Sequence, residues 1–304
     1  MGTPPADLEF DSAQVRELLI AQHPDLRDLP LRLAASGWDN VIYRLGSSLA
    51  LRLPRRSLAA RLIENEQRWL PLLQPCLPLP VPAPVRRGVP QGWYPWCWSV
   101  IPWFDGQTAD RVAPNRAQGV ALATFFNALH VAAPAEAPRN SFRGVPLPRR
   151  ATKFQSCLES LAAKTGRLDV HPLHARHLQL WQTALDAPVD VPDTWIHGDL
   201  HPRNVLVSDG RIVAVIDWGD MAAGDRACDL AAIWLLLPDL GAREAAMSQC
   251  AAVSAHTWDR ARGWALLIAV ILLDAGRGLD AGQRGDVRMA RIGAQALERL
   301  LTRP

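Results

Sequence analysis

At 304 residues, the chain exceeds the size at which one hydrophobic core usually stops growing, so two packed lobes are expected. It is 49% hydrophobic and 21% charged, with a formal charge of only +3 and no basic block, which argues against a nucleic-acid partner. No apolar run approaches the roughly 18 residues needed to span a bilayer. The opening M-G-T-P-P-A-D lacks the basic and apolar regions of a secretory signal and fits a myristoylation signal poorly, so a cytoplasmic protein with no membrane partner is expected. Five scattered cysteines form no C-x-x-C pair and read as small apolar residues in a reducing compartment.

In chain order, residues 12–22 carry apolar side chains at helical spacing behind an Asp-Ser start signal. Short strand-like runs follow at 31–35, 41–45 and 49–53, separated by S-G-W-D-N and G-S-S, which predicts an antiparallel meander. Residues 58–73 return to helical period. The proline-rich stretch 78–85 cannot be helix, and 96–101 is the next strand candidate, ended by Pro102. Helices are then predicted over 115–132, 152–164, 173–185, 228–237, 243–254, 257–276 and 286–301, interrupted only by short strands at 205–207 and 212–216.

This order predicts an α+β fold of two lobes: residues 1–102 as a small antiparallel-sheet lobe that binds nucleotide, a hinge near 99–103, and 103–304 as a larger helical lobe. The ligand site belongs in the cleft between them.

Chemistry concentrates in W-I-H-G-D-L-H-P-R-N-V-L-V-S-D-G-R-I-V-A-V-I-D-W, residues 195–218. The chain there runs loop, hairpin, loop. Antiparallel strands return it to its starting point, which places Asp199 and Asn204 beside Asp217. Two carboxylates and an amide oxygen are hard ligands suited to Mg2+, which takes one or two carboxylates plus substrate phosphates. Phosphoryl transfer needs that metal and a carboxylate to accept the proton of the attacking hydroxyl. Asp199 is therefore the expected base, and Asn204 and Asp217 the expected metal ligands. D-x4-N followed by D-x-G is also the protein-kinase pattern, here ending in Asp217-Trp218-Gly219.

The stretches H-G-D-L-H-P-x-N-V-L-V, V-I-D-W-G-D and G-D-R-A-C-D-L-A (224–231) resemble the aminoglycoside phosphotransferase family, relatives of the protein kinases that include macrolide and choline kinases. The resemblance extends to W-D-N-V-I-Y-R-L in the front lobe and R-A-R-G-W-A-L near the end. It implies a protein-kinase-like fold and a phosphotransferase using ATP or GTP, with an antibiotic of aminoglycoside or macrolide type as hydroxyl acceptor. The chain departs from the family's pattern at Arg203, where glycine is common, and at Pro102 in the expected hinge. A housekeeping small-alcohol or sugar kinase, or a nucleotide-binding pseudokinase, uses the same core. H-x-D-x-H, with His197, Asp199 and His201, offers a rival transition-metal set; His197 reads better as a structural residue whose ring bonds nearby backbone.

Kinases hold the phosphates through a strand lysine paired with a helix glutamate. The only lysines are Lys153 and Lys164, both outside the front lobe, so Arg52 is the candidate. Its expected partner is Glu66, which shares a helical stripe with Leu62 and Trp69, whereas Glu64 is rotated away by about 200°. The turn from Ser36 to Asn40 is the candidate phosphate-covering loop, and the backbone of Ser99, Val100 and Ile101 the candidate binder of the base.

Only seven residues separate Asp217 from Asp225, too few for a peptide-docking activation segment, so a small-molecule acceptor is expected. Residues 231–304 hold seven acids against nine arginines, which gives no support for a strongly cationic acceptor. Trp218, Trp234, Trp258 and Trp264 are candidates for an apolar acceptor pocket or for core. His171, His174 and His177 are spaced like a metal tract but read as a solvated helix face.

Overall fold

The computed structural model describes residues 5–165, 173–277 and 286–302. Helix α1 (Ser12–Gln22) starts at Asp11, whose carboxylate accepts from the Ala13 and Gln14 amides while the Gln14 side chain accepts from the Asp11 amide. Strands β1 (Leu31–Ser36), β2 (Asn40–Leu45) and β3 (Leu49–Pro54) form the predicted meander. Helix α2 (Ser57–Leu73) leads through the proline-rich stretch to β4 (Arg86–Gly88) and β5 (Trp98–Pro102). The five strands form one antiparallel sheet in the order β1-β2-β3-β5-β4. Strand β4 has no sequence signal: three residues, R-R-G, are too short to show alternation.

The remainder is mostly helical, as expected. Strand β6 (Gln107–Thr108) is followed by α3 (Gln118–Leu129), α4 (Ala151–Thr165) and α5 (Ala175–Asp186). Next come β7 (Thr194–Ile196), β8 (Val205–Ser208), β9 (Arg211–Val215) and β10 (Ala222–Gly224). Helices α6 (Ala227–Leu230), α7 (Ala232–Leu236), α8 (Leu240–Gln249), α9 (Ala255–Gly276) and α10 (Val287–Leu301) complete the chain. Strands β6, β8 and β9 form one small sheet, and β7 pairs with β10 in another. Helix α3 starts three residues later than its apolar pattern because the Asn115 side chain accepts from the Ala117 amide, making a turn of the first residues. Helix α8 starts earlier because Asp239 caps the Ala242 amide.

Two apolar clusters result. The smaller packs Val15, Leu18 and Leu19 of α1 against Tyr43, Leu51, Leu53 and Trp98 of the sheet. The larger surrounds α9 and takes in Trp69 and Leu70 of α2 with Val81 and Ala83 of the proline-rich stretch. Residues N-terminal to 102 therefore anchor the larger core. No helix among the described residues is long and apolar enough to cross a membrane.

The structure decides between the two readings of the tryptophans in favour of core, and it corrects the reading of one histidine. Trp218, Trp234 and Trp264 are fully buried in the large core and line no acceptor pocket; Trp258 packs edge-on against Trp234 at 6.3 Å. His177 is not on a solvated face: it is 1% exposed, accepts from the His174 amide and bonds the Leu297 carbonyl at 2.9 Å. His171 lies outside the described residues.

Helix α10 crosses α9 through Gly293, where an added Cβ would lie 2.4 Å from the Ala269 carbonyl oxygen and 2.7 Å from the Leu273 nitrogen. Both obstacles are backbone, so Gly293→Ala should separate the helices and cost about 2 kcal/mol. Urea unfolding measures it; a loss under about 0.5 kcal/mol would mean the crossing relaxes freely.

Candidate active site

The β8–β9 ladder pairs Val205 with Val215, and just beyond it the Ile216 amide donates to the Asn204 carbonyl at 2.9 Å. The chain before the hairpin is thereby held against the chain after it, as the loop-hairpin-loop pattern requires. His197, fully buried, adds a second tie: one ring nitrogen bonds the Ile216 carbonyl at 3.0 Å and the other accepts from the Asp199 amide at 3.2 Å. Both nitrogens are used, which removes His197 from the rival transition-metal set and gives it the structural role expected. Among the described residues, no group of three His, Cys, Asp or Glu side chains is placed to hold a metal ion by itself.

Asp199 sits at the centre of a dense set of donors. The Asn204 amide nitrogen donates to its carbonyl at 2.8 Å and to its carboxylate at 3.1 Å. His201 lies 3.3 Å from the same carboxylate oxygen, and Arg143 donates to the other at 2.5 Å. Burial alone would push the Asp199 carboxyl up, but Arg143, His201 and His197 outweigh it and hold the group well below the usual carboxylate range. With its NH2 group spent on Asp199, Asn204 keeps its amide oxygen for another ligand.

Asp217 follows the hairpin in the left-handed region, at φ 62°, and its side chain is 51% exposed. The next residue but one, Gly219, packs on Leu62 of α2, which seats the D-W-G turn beneath that helix. Arg52 reaches Asp217 from β3 at 2.8 Å and Glu66 of α2 at 3.1 Å. Glu66 is 3% exposed and Glu64 is on the surface, so the helical stripe selected the right carboxylate. Burial opposes the charge on Arg52, yet Glu66 and Asp217 together raise its pKa. Burial pushes Glu66 up to about 7 against the pull of Arg52.

The front-lobe candidates are less gathered. Ser36 and Asn40 do flank the β1–β2 turn: the Ser36 hydroxyl accepts from Arg55, and the buried Asn40 side-chain oxygen has no hydrogen-bond partner. Ser99 and Val100 are mid-sheet, paired with β3 on one side and β4 on the other, and both are fully buried. Their backbone is consumed by the ladders, so they cannot serve as the hinge. Ile101 and Pro102 pair only with β3, and after them the Trp103 amide donates to the Ser48 carbonyl.

Several residues of the site escaped sequence reasoning. Arg143 comes from the loop between α3 and α4, more than 50 positions before Asp199. Asp220 accepts from Asn140 at 2.7 Å and lies 3.7 Å from Arg143. Asp229, within the G-D-R-A-C-D-L-A motif, is fully buried and accepts from the His197 and Gly198 amides at 2.7 and 2.9 Å, with His130 at 3.3 Å. It holds the turn that presents Asp199.

A family model described as the phosphotransferase enzyme family, APH, matches residues 30–264. Aminoglycoside 3'-phosphotransferases of Escherichia coli and Salmonella typhimurium are each 26% identical over 143 residues, or 45% of this chain and 51% of each relative. The alignment thus spans about half the length of the curated relatives. Among solved structures, the GDP complex of wild-type aminoglycoside 2'-phosphotransferase-IIIa is 19% identical, with a TM-score of 0.65 over 96% of this chain and 98% of that one. Macrolide 2'-phosphotransferase MphH from Brachybacterium faecium is 21% identical, with a TM-score of 0.55 over 94% and 97%. These structures share the two-lobed kinase-like fold.

Asp229→Ala would leave two buried amides without acceptors, each costing about 1–3 kcal/mol, whereas the oxygen of Asp229→Asn still accepts one. Urea unfolding should therefore rank wild type above Asn above Ala. Equal stability of the two variants would show that the amides find other partners.

Proposed function

We propose, from the premise that the chain belongs to the APH phosphotransferase enzyme family, that it transfers the γ-phosphate of ATP or GTP to a hydroxyl of a small molecule with Mg2+. The convergence of Asp199, Asn204 and Asp217 around one hairpin, with Arg52 reaching Asp217 from the other lobe, carries this reading.

Asp199 orients the acceptor hydroxyl and takes its proton as the new phosphorus–oxygen bond forms and the bond to the β-phosphate breaks. A carboxylate of low basicity suits a loose transition state, in which the proton moves late and a strong base gains little. The Asn204 oxygen and the half-exposed Asp217 carboxylate would hold magnesium; these are hard oxygen donors of the kind that ion takes beside substrate phosphates. Bound there, the metal supplies charge neutralisation on the phosphates. Arg52 donates to the phosphates, with Glu66 beside its guanidinium as the Asp217 contact is exchanged for ligand oxygens.

The acceptor is a small molecule because β10 and α6 begin within a few residues of Asp217, leaving no segment on which a peptide could dock. The relatives' names support an antibiotic of aminoglycoside or macrolide type. A second reading, a metabolite kinase for a small alcohol or sugar, is favoured by one observation: the side chain against Asp199 is an arginine, a poor neighbour for a polycation. The sequence carries Asp199, Asn204 and Asp217 intact, which argues against a pseudokinase.

An ADP- and GDP-coupled assay over a panel of aminoglycosides, macrolides, choline and sugars tests the reading; no magnesium-dependent turnover with any acceptor would count against it. Asp199→Ala should lower kcat by about a thousandfold and leave nucleotide affinity near wild type. Arg52→Ala should do the reverse first, weakening nucleotide binding about tenfold or more. Wild-type turnover in Asp199→Ala would remove the base from the scheme.

A further inference from the structure

From Arg139 to Lys153 the chain carries five basic residues, Arg139, Arg143, Arg149, Arg150 and Lys153, and no acid. The first part of this stretch, the loop around Arg143 before α4, runs past Asp199 and is built to keep its shape. The Asn140 side-chain oxygen accepts from the Phe142 and Arg143 amides, and its nitrogen is tied to Asp220. Gly144 is left-handed, at φ 61°, and its carbonyl accepts from the Asp225 amide at 2.8 Å; a Cβ there would meet Ile196 at 2.4 Å.

Two of the arginines differ in how they are satisfied. Arg143 is matched by Asp199 and Asp220. Arg150 makes no ion pair with a described carboxylate: its guanidinium lies 5.3 Å above the Phe142 ring, and its Nε is buried without a hydrogen-bond partner. Burial, and then the neighbouring charge of Arg143, lower its pKa. A partly buried cation short of both a counter-ion and an acceptor is costly unless a ligand completes it. The ring beneath the Arg150 guanidinium belongs to Phe142, the residue that directly precedes Arg143.

We propose that Arg143 and Arg150 form a binding site for an anionic group of the acceptor, a phosphate or carboxylate. The site rests on the phosphotransferase reading for its placement beside the reacting hydroxyl. Planar forked donors suit both anions. Both arginines belong to the larger lobe on the Asp199 side, whereas the phosphate-facing cation, Arg52, comes from the sheet of the other lobe. The anion is therefore the acceptor's, and an acceptor crowded with ammonium groups is disfavoured.

Calorimetric titration with inorganic phosphate, on full-length protein with and without magnesium and AMP-PNP or GMP-PNP, tests this. Wild type should bind phosphate saturably with the triphosphate analogue already bound. Arg150→Gln, which removes the charge and the forked donor but keeps a polar side chain, should weaken phosphate about tenfold or more without altering affinity for the analogue. Phe142→Leu, which keeps the charge and removes its support, should fall between, and melting temperatures confirm that both variants fold. Equal phosphate affinity in Arg150→Gln, no binding to wild type, or displacement of phosphate by the analogue would each overturn the assignment. Failure of the analogue itself to bind would instead strike the phosphotransferase reading, and phosphate titration of the nucleotide-free variants would still report on the arginine pair.

Discussion

Pairing of Val205 with Val215, closed by the Ile216 amide on the Asn204 carbonyl, is the constraint on which the site depends. An antiparallel ladder specifies register strongly, because a slip of one residue would turn every side chain to the opposite face, and here the pairing next to the site precedes the one irregularity, between Leu206 and Val207. It brings the D-x4-N loop and the D-W-G turn to one place whatever the surrounding helices do. The buried His197 ring and Asp229 carboxylate then spend their polar atoms on backbone of the same loops, so the geometry is held by groups already engaged within the protein. Burial makes those bonds expensive to break.

Upon this frame sits a balance of charge. Each candidate carboxylate is met by an arginine from a different part of the chain: Asp217 by Arg52 of the sheet lobe, Asp199 by Arg143 of the α3–α4 loop. Arginine cannot shed its charge when buried, as lysine can, so the cleft keeps cations ready for phosphate. Glu66 lies 3.1 Å from the same Arg52 nitrogen that meets Asp217, so that guanidinium has a second, buried carboxylate beside it.

Much of this was legible in the sequence. The meander, α2 and the choice of Glu66 over Glu64 follow from periodicity, and the juxtaposition of Asp199, Asn204 and Asp217 follows from the two strand-like runs around S-D-G. What was illegible has a common cause: contacts between residues far apart in the chain leave no periodic trace. Arg143 lies in a loop whose only signal is a run of basic residues without acids. Strands β4 and β10 are three residues each, too short to alternate, and without β4 there was no reason to see that Ser99 and Val100 are enclosed on both edges. His177 sits on a helix whose neighbouring α10 could not be placed from sequence, so its burial against Leu297 was hidden.

The central claim is that Asn204 and Asp217 hold magnesium against the nucleotide's phosphates. Its most direct test is the affinity of a non-hydrolysable nucleoside triphosphate measured with and without magnesium, in wild type and in Asp217→Ala. The account predicts that magnesium tightens binding to wild type and that Asp217→Ala loses this gain. An undiminished magnesium effect in Asp217→Ala would contradict it.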